Sequence, residues 1–267
     1  MQGVSRTSMA EVRERFDSVS AGDPALLAGE LFDVVDLFDR EHLLRRALAD
    51  PARPGEAKSA AVHAVLDGKV STPTAEVAAA VVQARWARSG DLTDALESLA
   101  VYAEALAAEQ AGELDELEDE LFRFSRIVES EPRLRTALTD VGAPVERRVE
   151  LVERLLDGKT SAFTRRLIGA VVARPRGRSL EAGLATYGRL VAERRQRLVA
   201  LARVAGPLTE EQRERLVRVL TTAYGHEVHL NVEIDPTVVG GLSIQVGDEV
   251  IDGTIAGRLE EVRRRLQ

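Results

Sequence analysis

The sequence repeats itself at an offset of 90 residues. Glu30–Ser89 aligns with Glu120–Ser179 without a gap, and 23 of the 60 positions are identical. The turn Leu66–Lys69 (Leu-Asp-Gly-Lys) returns as Leu156–Lys159, and an Ala-Val-Val run returns in the same register. Shared composition alone would not place a turn and an apolar run in one register. The pattern therefore predicts an internal duplication, which constrains the fold to two copies of one unit.

Each copy has the apolar spacing of helices. In the first copy, apolar residues recur every three or four positions, at Leu27, Leu31, Val34, Val35 and Phe38. This spacing places them on one buried helical face. A further helix is expected over Glu56–Leu66 and ends near Gly68, because glycine readily adopts the left-handed cap. The next is expected to begin with Thr72 as N-cap and Pro73 in the first helical position.

One predicted helix belongs to both copies. At the same offset Gly22 matches Gly112, so the first helix, Ser5–Ala21, corresponds to Ala95–Ala111. The helix that closes the first bundle therefore also opens the second, with a break at Gly112. No Gly/Ser-rich or Pro-rich linker lies between the bundles in the sequence, so we expect a rigid connection.

The carboxyl-terminal part has a different pattern. A strand is expected within Arg197–Ala205, followed by a helix from Leu208 to about Tyr224 that Thr209 caps. Period-two alternation and glycine breaks predict the remaining elements: strands at Glu227–Ile234, Leu242–Val246 and Val250-Ile251, breaks at Gly240-Gly241 and Gly247-Asp248, and a closing helix over 254–266.

The predicted fold class is mainly α, with two tandem helical bundles that share a connecting helix, followed by a small α/β C-terminal domain. The expected domains are residues 1–97 for the extra, duplicated bundle, 98–197 for the second bundle and 198–267 for the α/β domain. Each is of a size that a small independent domain can have.

Composition narrows the function classes. Hydrophobic residues make up 45% of the chain and aromatic residues only 4%, which favours helices packed through Ala, Leu and Val. The chain has no cysteine, which excludes disulfides, cysteine metal sites and thiol nucleophiles. Apolar runs such as Val77–Val82 fall short of the roughly 18 residues that a membrane span requires. The N-terminus also lacks a signal-type apolar stretch, so a soluble, unexported protein is expected.

The charge pattern is uneven. A net charge of −8 argues against general nucleic-acid binding, because phosphate backbones require a basic face. The stretch Arg174–Arg197 is rich in arginine, but apart from Tyr187 it lacks the aromatic side chains on which bases stack. A solvated helix face, or a docking surface for acidic partner helices, is therefore favoured over an RNA site.

The carboxyl-terminal motif resembles the signature of a known family. The matching residues form an ordered series of apolar, acidic and glycine positions: Ile234, Asp235, Val238, Gly240, Gly241, Leu242, Ile244, Gly247 and Asp252. They resemble the delta subunit of F-type ATP synthase, the bacterial counterpart of the mitochondrial oligomycin-sensitivity-conferring protein. Tyr102–Leu106 resembles the opening helix of that family, so the resemblance covers about 98–267. The first copy departs from the usual family pattern.

The resemblance implies a non-catalytic subunit of the peripheral stalk, or stator, which holds the catalytic head of a proton-translocating ATP synthase against rotor torque. It implies that the helical bundle binds the N-terminal segments of the alpha subunits, and that the α/β domain binds the C-terminal helices of a b-type stalk subunit. It implies no catalytic residue, cofactor, metal or nucleic-acid partner. The expected location is peripheral, at the cytoplasmic face of the cell membrane. The extra bundle is expected to lengthen or reinforce the stalk, or to contact a lengthened b-type subunit.

The alternative is a nucleotide-binding or RNA-binding helical adaptor. Gly240-Gly241 lacks the immediate strand, glycine loop and helix of a nucleotide fingerprint, and the Asp-Gly-Lys turns lack Walker spacing. Asp248 and Asp252 are interpreted as a turn residue and a helix cap, and Trp86 as a core or interface residue. The histidines show no metal-ligand spacing: His42, His63, His226 and His229.

Overall fold

The chain forms two compact units in the computed structural model, Met1–Arg194 and Arg195–Gln267, here called the helical unit and the α/β unit. The structure describes residues 3–20, 22–195, 198–224, 228–235, 241–246 and 249–252. The predicted closing helix and the predicted turn at Gly247-Asp248 lie outside these residues. The division into 1–97, 98–197 and 198–267 stays a prediction.

The helical unit consists of α1 to α11, and the α/β unit contains α12 and β1 to β4. The helices α1 to α12 cover, in order, Val4–Val19, Pro24–Arg40, His42–Leu48, Gly55–Leu66, Thr72–Gln83, Ser89–Gln110, Leu114–Ser130, Pro132–Thr139, Val145–Leu156, Ala162–Ala173, Leu180–Arg195 and Glu210–Tyr224. The strands β1 to β4 cover Leu198–Val204, Val228–Ile234, Leu242–Val246 and Glu249–Asp252.

The order of helices repeats with the sequence. Helices α2, α4 and α5 begin and end 90 residues before α7, α9 and α10, and α3 begins 90 residues before α8. The predicted helix end at Gly68 and break at Gly112 also fit, because their φ angles are 76° and 75°, where glycine is favoured. Gly158, the counterpart of Gly68, has a φ angle of 67°. The two sequence copies thus form the same succession of helices, while the duplication itself stays a prediction.

The same carboxylate contact ties α2 to α5 and α7 to α10. Glu30 accepts hydrogen bonds from the Ser71 backbone N–H at 2.9 Å and from the Thr74 hydroxyl at 2.5 Å. Glu120 accepts the equivalent bonds from Ser161 at 3.0 Å and from the Thr164 hydroxyl at 2.5 Å. These bonds satisfy donors at the helix N-terminus that have no partner within the helix.

The N-cap of α5 differs from the prediction by one position. Ser71, not Thr72, is the N-cap residue, and Thr72 is the first residue of the helix. Ser71 also donates its hydroxyl to Glu30 at 2.5 Å, so a side chain from α2 holds the residue that precedes the helix. A contact from another helix cannot be read from the local sequence, which explains the difference.

Helix α6 is the shared helix, and it is buried on all sides. Fifteen of its 22 residues are buried, among them Leu92, Leu99 and Ala103. It packs against α1, α2 and α5 from the first copy and against α7 and α10 from the second. One hydrophobic core, from Val12 to Val191, runs through both copies. The mainly α fold with a shared connecting helix is therefore confirmed.

The α/β unit has its own core. Its sheet has the strand order β2-β1-β3-β4, with β1 and β2 parallel and the other pairs antiparallel. A parallel pair needs a crossover, and α12 provides it while packing against β2. The core residues are Ala202, Leu220, Val228, Leu230 and Ile244. The predicted cap at Thr209 is confirmed, because its hydroxyl accepts from the Gln212 N–H at 3.3 Å and its own N–H donates to Gln212 Oε1 at 2.9 Å.

Two glycines of α11 give a test of the packing between α10 and α11. A Cβ added at Gly183 would lie 2.7 Å from Val171 Cγ1, whereas one added at Gly188 would meet no atom within 4 Å. We expect Gly183→Ala to lower the free energy of unfolding by about 1–3 kcal/mol, since overpacking forces side chains apart. Gly188→Ala should raise it by about 0.5–1 kcal/mol through helix propensity. Urea unfolding of both variants measures the difference, and equal effects would contradict this packing.

Candidate functional site

The arginine-rich loop between α10 and α11 turns inward. Arg176 and Gly177 have φ angles of 48° and 73°, so two successive residues are in the left-handed region. This turn directs three guanidinium groups, those of Arg174, Arg176 and Arg178, toward α2 and α6. Their side chains are only 15%, 12% and 27% exposed.

Each of these arginines pairs with carboxylates of the first half of the chain. Arg174 donates two hydrogen bonds to Asp36, at 2.6 and 2.7 Å. Arg176 lies 3.1 Å from Asp39 and 2.9 Å from Asp94. Bidentate and multiple contacts of this kind fix geometry more firmly than single exposed pairs. The loop therefore fastens the second copy to α2 of the first copy and to the shared helix α6.

Glu97 of α6 lies at the centre of this network. It is 3% exposed and accepts from Arg176 at 3.0 Å, from Arg178 at 2.5 Å and from the Tyr187 hydroxyl at 2.9 Å. Burial raises the pKa of Tyr187 well above its ordinary value, so its hydroxyl keeps its proton and serves as a donor. Two cations and one neutral donor thus offset the charge of one buried carboxylate.

These contacts correct the interpretation of Arg174–Arg197 as a solvated face or an acidic-helix docking surface. Arg174, Arg176 and Arg178 are occupied inside the protein, and Arg194 donates to Glu109 at 2.6 and 2.8 Å. The sequence did not indicate the acidic partners, because they come from helices about 80 to 140 positions away in the chain. The RNA-binding alternative is not favoured, because these arginines already bind carboxylates within the protein.

A second cluster joins α1, α6 and α11. The Arg13 guanidinium lies 3.9 Å from the centroid of the Tyr102 ring, and Tyr102 donates its hydroxyl to Glu193. Arg13 is itself 3.8 Å from Glu193. Since a cation over an aromatic face is attracted by the ring, the three residues support one another. The first helix of the chain is thus bound to the last helix of the helical unit.

A buried acid lies between α6 and α10. Glu104 is 1% exposed and accepts from Arg166 Nε at 2.6 Å. Burial raises the pKa of Glu104 to about 7, although the nearby Arg166 acts in the opposite direction. The Arg166 guanidinium also lies 4.9 Å from the centroid of the Phe163 ring. Glu104 is therefore the acid whose ionisation is coupled to the packing of α10 on α6.

The structure places only part of the carboxyl-terminal signature. Ile244 is 4% exposed and lies in the core, Leu242 pairs with Val204, and Gly241 has a φ angle of 83°. The backbone N–H of Asp235 donates to the carbonyl of Val204 at 2.9 Å. Ile234 is exposed at the end of β2, and Asp252 pairs with Ser243 in the sheet. Three signature residues lie outside the described residues: Val238, Gly240 and Gly247. The structural role of the signature stays a prediction.

The remaining candidates are explained locally. Lys159 donates to the carbonyl of Leu155 at 3.0 Å, which is typical of a lysine at a helix end. His63 lies 3.0 Å from Asp67, and Trp86 is buried with its indole N–H on the Val81 carbonyl at 2.7 Å. Within the described ranges, no three histidine or acidic side chains are grouped to hold a metal ion. His226 lies outside those ranges. No described helix is long and apolar enough to cross a membrane.

The Glu97 network generates a stability prediction. Glu97→Ala leaves Arg176 and Arg178 without their buried acceptor, so we expect the free energy of unfolding to fall by about 3 kcal/mol. The matched control is Asp119→Ala, which removes an exposed pair with Arg123 and should cost less than about 0.5 kcal/mol. Denaturant unfolding of the full chain measures both, and a loss below about 1 kcal/mol at Glu97 would contradict the network.

Glu104 generates a pH prediction. The folded chain holds the Glu104 proton more tightly than the unfolded chain, so its contribution to stability falls as pH rises from about 4.5 to about 7. The unfolding free energy of Glu104→Gln, relative to that of the native chain, should therefore rise by about 2 kcal/mol between about pH 5 and about pH 8. Arg166→Gln, which removes the opposing cation, should steepen the loss. Unfolding free energies measured across this range would contradict the assignment if the Glu104→Gln difference were constant.

Comparison with known proteins identifies the family. The family model described as ATP synthase delta (OSCP) subunit matches residues 99–266. The ATP synthase subunit delta of Thermobifida fusca is 54% identical over 267 residues, covering 100% of this chain and 99% of that protein. The ATP synthase subunit delta of Streptomyces avermitilis is 49% identical over 267 residues, covering 99% of this chain and 98% of that protein.

A third relative agrees with these two. The ATP synthase subunit delta of Acidothermus cellulolyticus is 44% identical over 272 residues, covering 100% of this chain and 99% of that protein. The relatives therefore extend over the first helical copy, which the family model leaves unmatched. The chain belongs to the ATP synthase delta (OSCP) subunit family and is a peripheral-stalk subunit of the ATP synthase.

Proposed function

We propose that this chain is a non-catalytic connector at the cytoplasmic face of the cell membrane. Its helical unit binds the N-terminal segments of the alpha subunits, and its α/β unit binds the C-terminal helices of a b-type stalk subunit. The observation that carries the proposal is that the fold has two separate units, one of which joins its two helical copies rigidly. Two units have separate hydrophobic cores, and α6 together with buried ion pairs fastens the two helical copies to each other.

A connector that resists torque must not bend between its parts. In the helical unit, bending at the junction of the two copies would have to break the packing around α6. It would also separate Arg174 from Asp36 and Arg176 from Asp39, which are held at 2.6 and 3.1 Å. Well-packed interiors deform little, so the unit transmits force as one body.

The extra bundle is part of this stiffness. We propose the domains 1–97, 98–197 and 198–267, with the first two related by duplication, and a first bundle that reinforces the stalk or contacts a lengthened b-type subunit. The packing supports reinforcement, because α1, α2 and α5 cover one side of α6. Deleting Met1–Ser89 would remove α1, α2 and α5 from the buried helix α6, so such a deletion tests folding before it tests function.

The α/β unit offers an apolar surface for partner helices. Side chains alternate along a strand, so Val228, Leu230, Val232 and Ile234 lie on one side of β2. The first two are buried beneath α12, whereas Val232 and Ile234 are 37% and 56% exposed. The apolar face therefore continues past the core onto the surface, where an amphipathic helix can bury it.

The proposal predicts separable partner contacts. Ile234→Asp places a charge on the apolar surface, so it should weaken binding of a purified b-type cytoplasmic segment by about tenfold or more. Its binding to alpha-subunit N-terminal peptides should stay unchanged. The control is Val141→Asp at a residue that is 97% exposed in the helical unit, and it should leave b-type binding unchanged.

The measurement is titration of the full chain with each partner, combined with co-purification of the alpha and b subunits. Saturable ATP binding by the chain, or failure of the wild-type chain to bind either partner, would overturn the connector function. Steep, salt-dependent RNA binding would instead support the alternative adaptor.

A further inference from the structure

Strand β2 lies at one end of the described sheet, and one hydrogen bond shows which way its backbone groups point. The backbone N–H of Asp235 donates to the carbonyl of Val204 at 2.9 Å, and Val204 lies in register with Ile234. In an extended strand the N–H and C=O groups of successive residues point to opposite sides. The N–H of residue 235 faces β1, so the backbone groups of the even-numbered residues of β2 face away from the sheet: Val228, Leu230, Val232 and Ile234.

The amino-terminal half of this outer edge is closed. Arg213 of α12 places its Nη2 atom 3.5 Å from the carbonyl oxygen of Leu230, which is one of the outward groups. The side chains of Val228 and Leu230 lie in the core together with Leu220 of α12. Charged side chains along a sheet edge discourage the pairing of a further strand. Arg213 therefore closes the edge at Leu230.

The carboxyl-terminal half of the edge is different. Val232 and Ile234 are 37% and 56% exposed, and in the part of the chain that the structure describes no side chain hydrogen-bonds their outward backbone groups. Each residue carries one N–H donor and one C=O acceptor, so two donors and two acceptors lie beside two apolar side chains. An apolar edge with such backbone groups is a template for one more strand.

A helix cannot complete this edge. The backbone N–H and C=O groups of a helix bond to each other, so a helix that covers the side chains of Val232 and Ile234 does not pair with their backbone. An extended segment offers its own N–H and C=O groups at the spacing of a strand, and its alternate side chains lie beside Val232 and Ile234. The edge is therefore suited to an extended chain with apolar residues at alternate positions.

We propose that the carboxyl-terminal half of β2 binds an extended segment of the b-type stalk subunit as an added β-strand, paired through the outward backbone groups of Val232 and Ile234. The inference rests on the proposed function, which assigns that subunit to the α/β unit. It adds a second mode of contact with the same partner. A helix lies on the face of β2, and extended residues of the partner run along its edge.

A second copy of this chain fits the edge poorly. The open half of β2 has only Val232 and Ile234 as outward residues, and pairing two such short edges would bury far less than the roughly 1,000 Å² that a stable interface needs. A partner that is already held on the α/β unit adds its strand at a high effective concentration, so a short strand is sufficient. The occupant is therefore a segment of the bound partner.

Two substitutions at one position separate an added strand from a helix on the face. Val232→Pro keeps an apolar side chain but removes the outward N–H, and proline is tolerated on an edge strand where that N–H bonds no neighbouring strand. Val232→Thr keeps the N–H and the branched shape but makes the side chain polar. In titrations of the full chain with a purified b-type cytoplasmic segment, Val232→Pro should raise the dissociation constant about tenfold or more, and Val232→Thr less than about threefold. Binding by a helix on the face alone would reverse the order of these effects and overturn the proposal.

Hydrogen exchange in the wild-type chain tests the pairing without a substitution. A saturating amount of the b-type segment should slow exchange of the Val232 and Ile234 amides about tenfold or more, since each amide gains a hydrogen bond. The Asp235 amide is the internal control, because it already bonds to Val204 and its exchange should change much less. Unchanged exchange at Val232 and Ile234 in the saturated complex would overturn the added strand, even where Val232→Pro fails to fold.

The remaining outcomes separate this inference from the proposed function. If the wild-type chain does not bind the b-type segment, the proposed function fails and the added strand fails with it. If the wild-type chain binds and both variants bind equally well, only the added strand is wrong. If sedimentation shows a dimer of the chain that Val232→Pro abolishes, the occupant is a second copy and the proposal is overturned.

Discussion

The packing of one helix by two bundles is the constraint on which the rest of the helical unit depends. Because α6 closes the first copy and opens the second, its side chains must be compatible with neighbours on every side. Alanine meets this requirement well because a small side chain lets neighbouring helices approach closely, and α6 has buried alanines such as Ala95, Ala100 and Ala103. A shared buried helix leaves no hinge between the copies, which suits a subunit that carries load between the parts of a large complex.

Buried ion pairs add to the apolar packing in holding the two copies together. Glu97 and Glu104 place two buried carboxylates on α6, and arginines from the second copy offset both of them. A buried acid that loses its arginine is costly, so the register between the copies is specified more sharply than apolar packing alone would specify it. The same repeated order of helices leaves Phe122, the counterpart of the buried Phe32, 64% exposed, so one architecture accounts for both the rigid junction and this exposed position.

Much of the fold could be predicted because its signals are local. Glycine at Gly68, Gly112 and Gly158 marks helix ends by its backbone freedom, and Thr209 with Gln212 forms a capping box within four residues. The apolar period of α2 gave its core face correctly. The prediction of a solvated face or docking surface for Arg174–Arg197 was wrong, because the acidic partners lie far away in the chain: Asp36, Asp39 and Glu97. Composition does not show which charges meet.

The sequence by itself determined the repeat, the order of helices, the change to an α/β unit and the family, since each is encoded in local spacing or in an ordered signature. Only the tertiary structure decided which residues of equal type have different roles. Phe32 and Phe122 occupy equivalent positions in the repeat, yet one is 7% and the other 64% exposed. The physical reason is that burial depends on what packs against a helix from elsewhere in the chain, and only the first copy has a second copy to cover it.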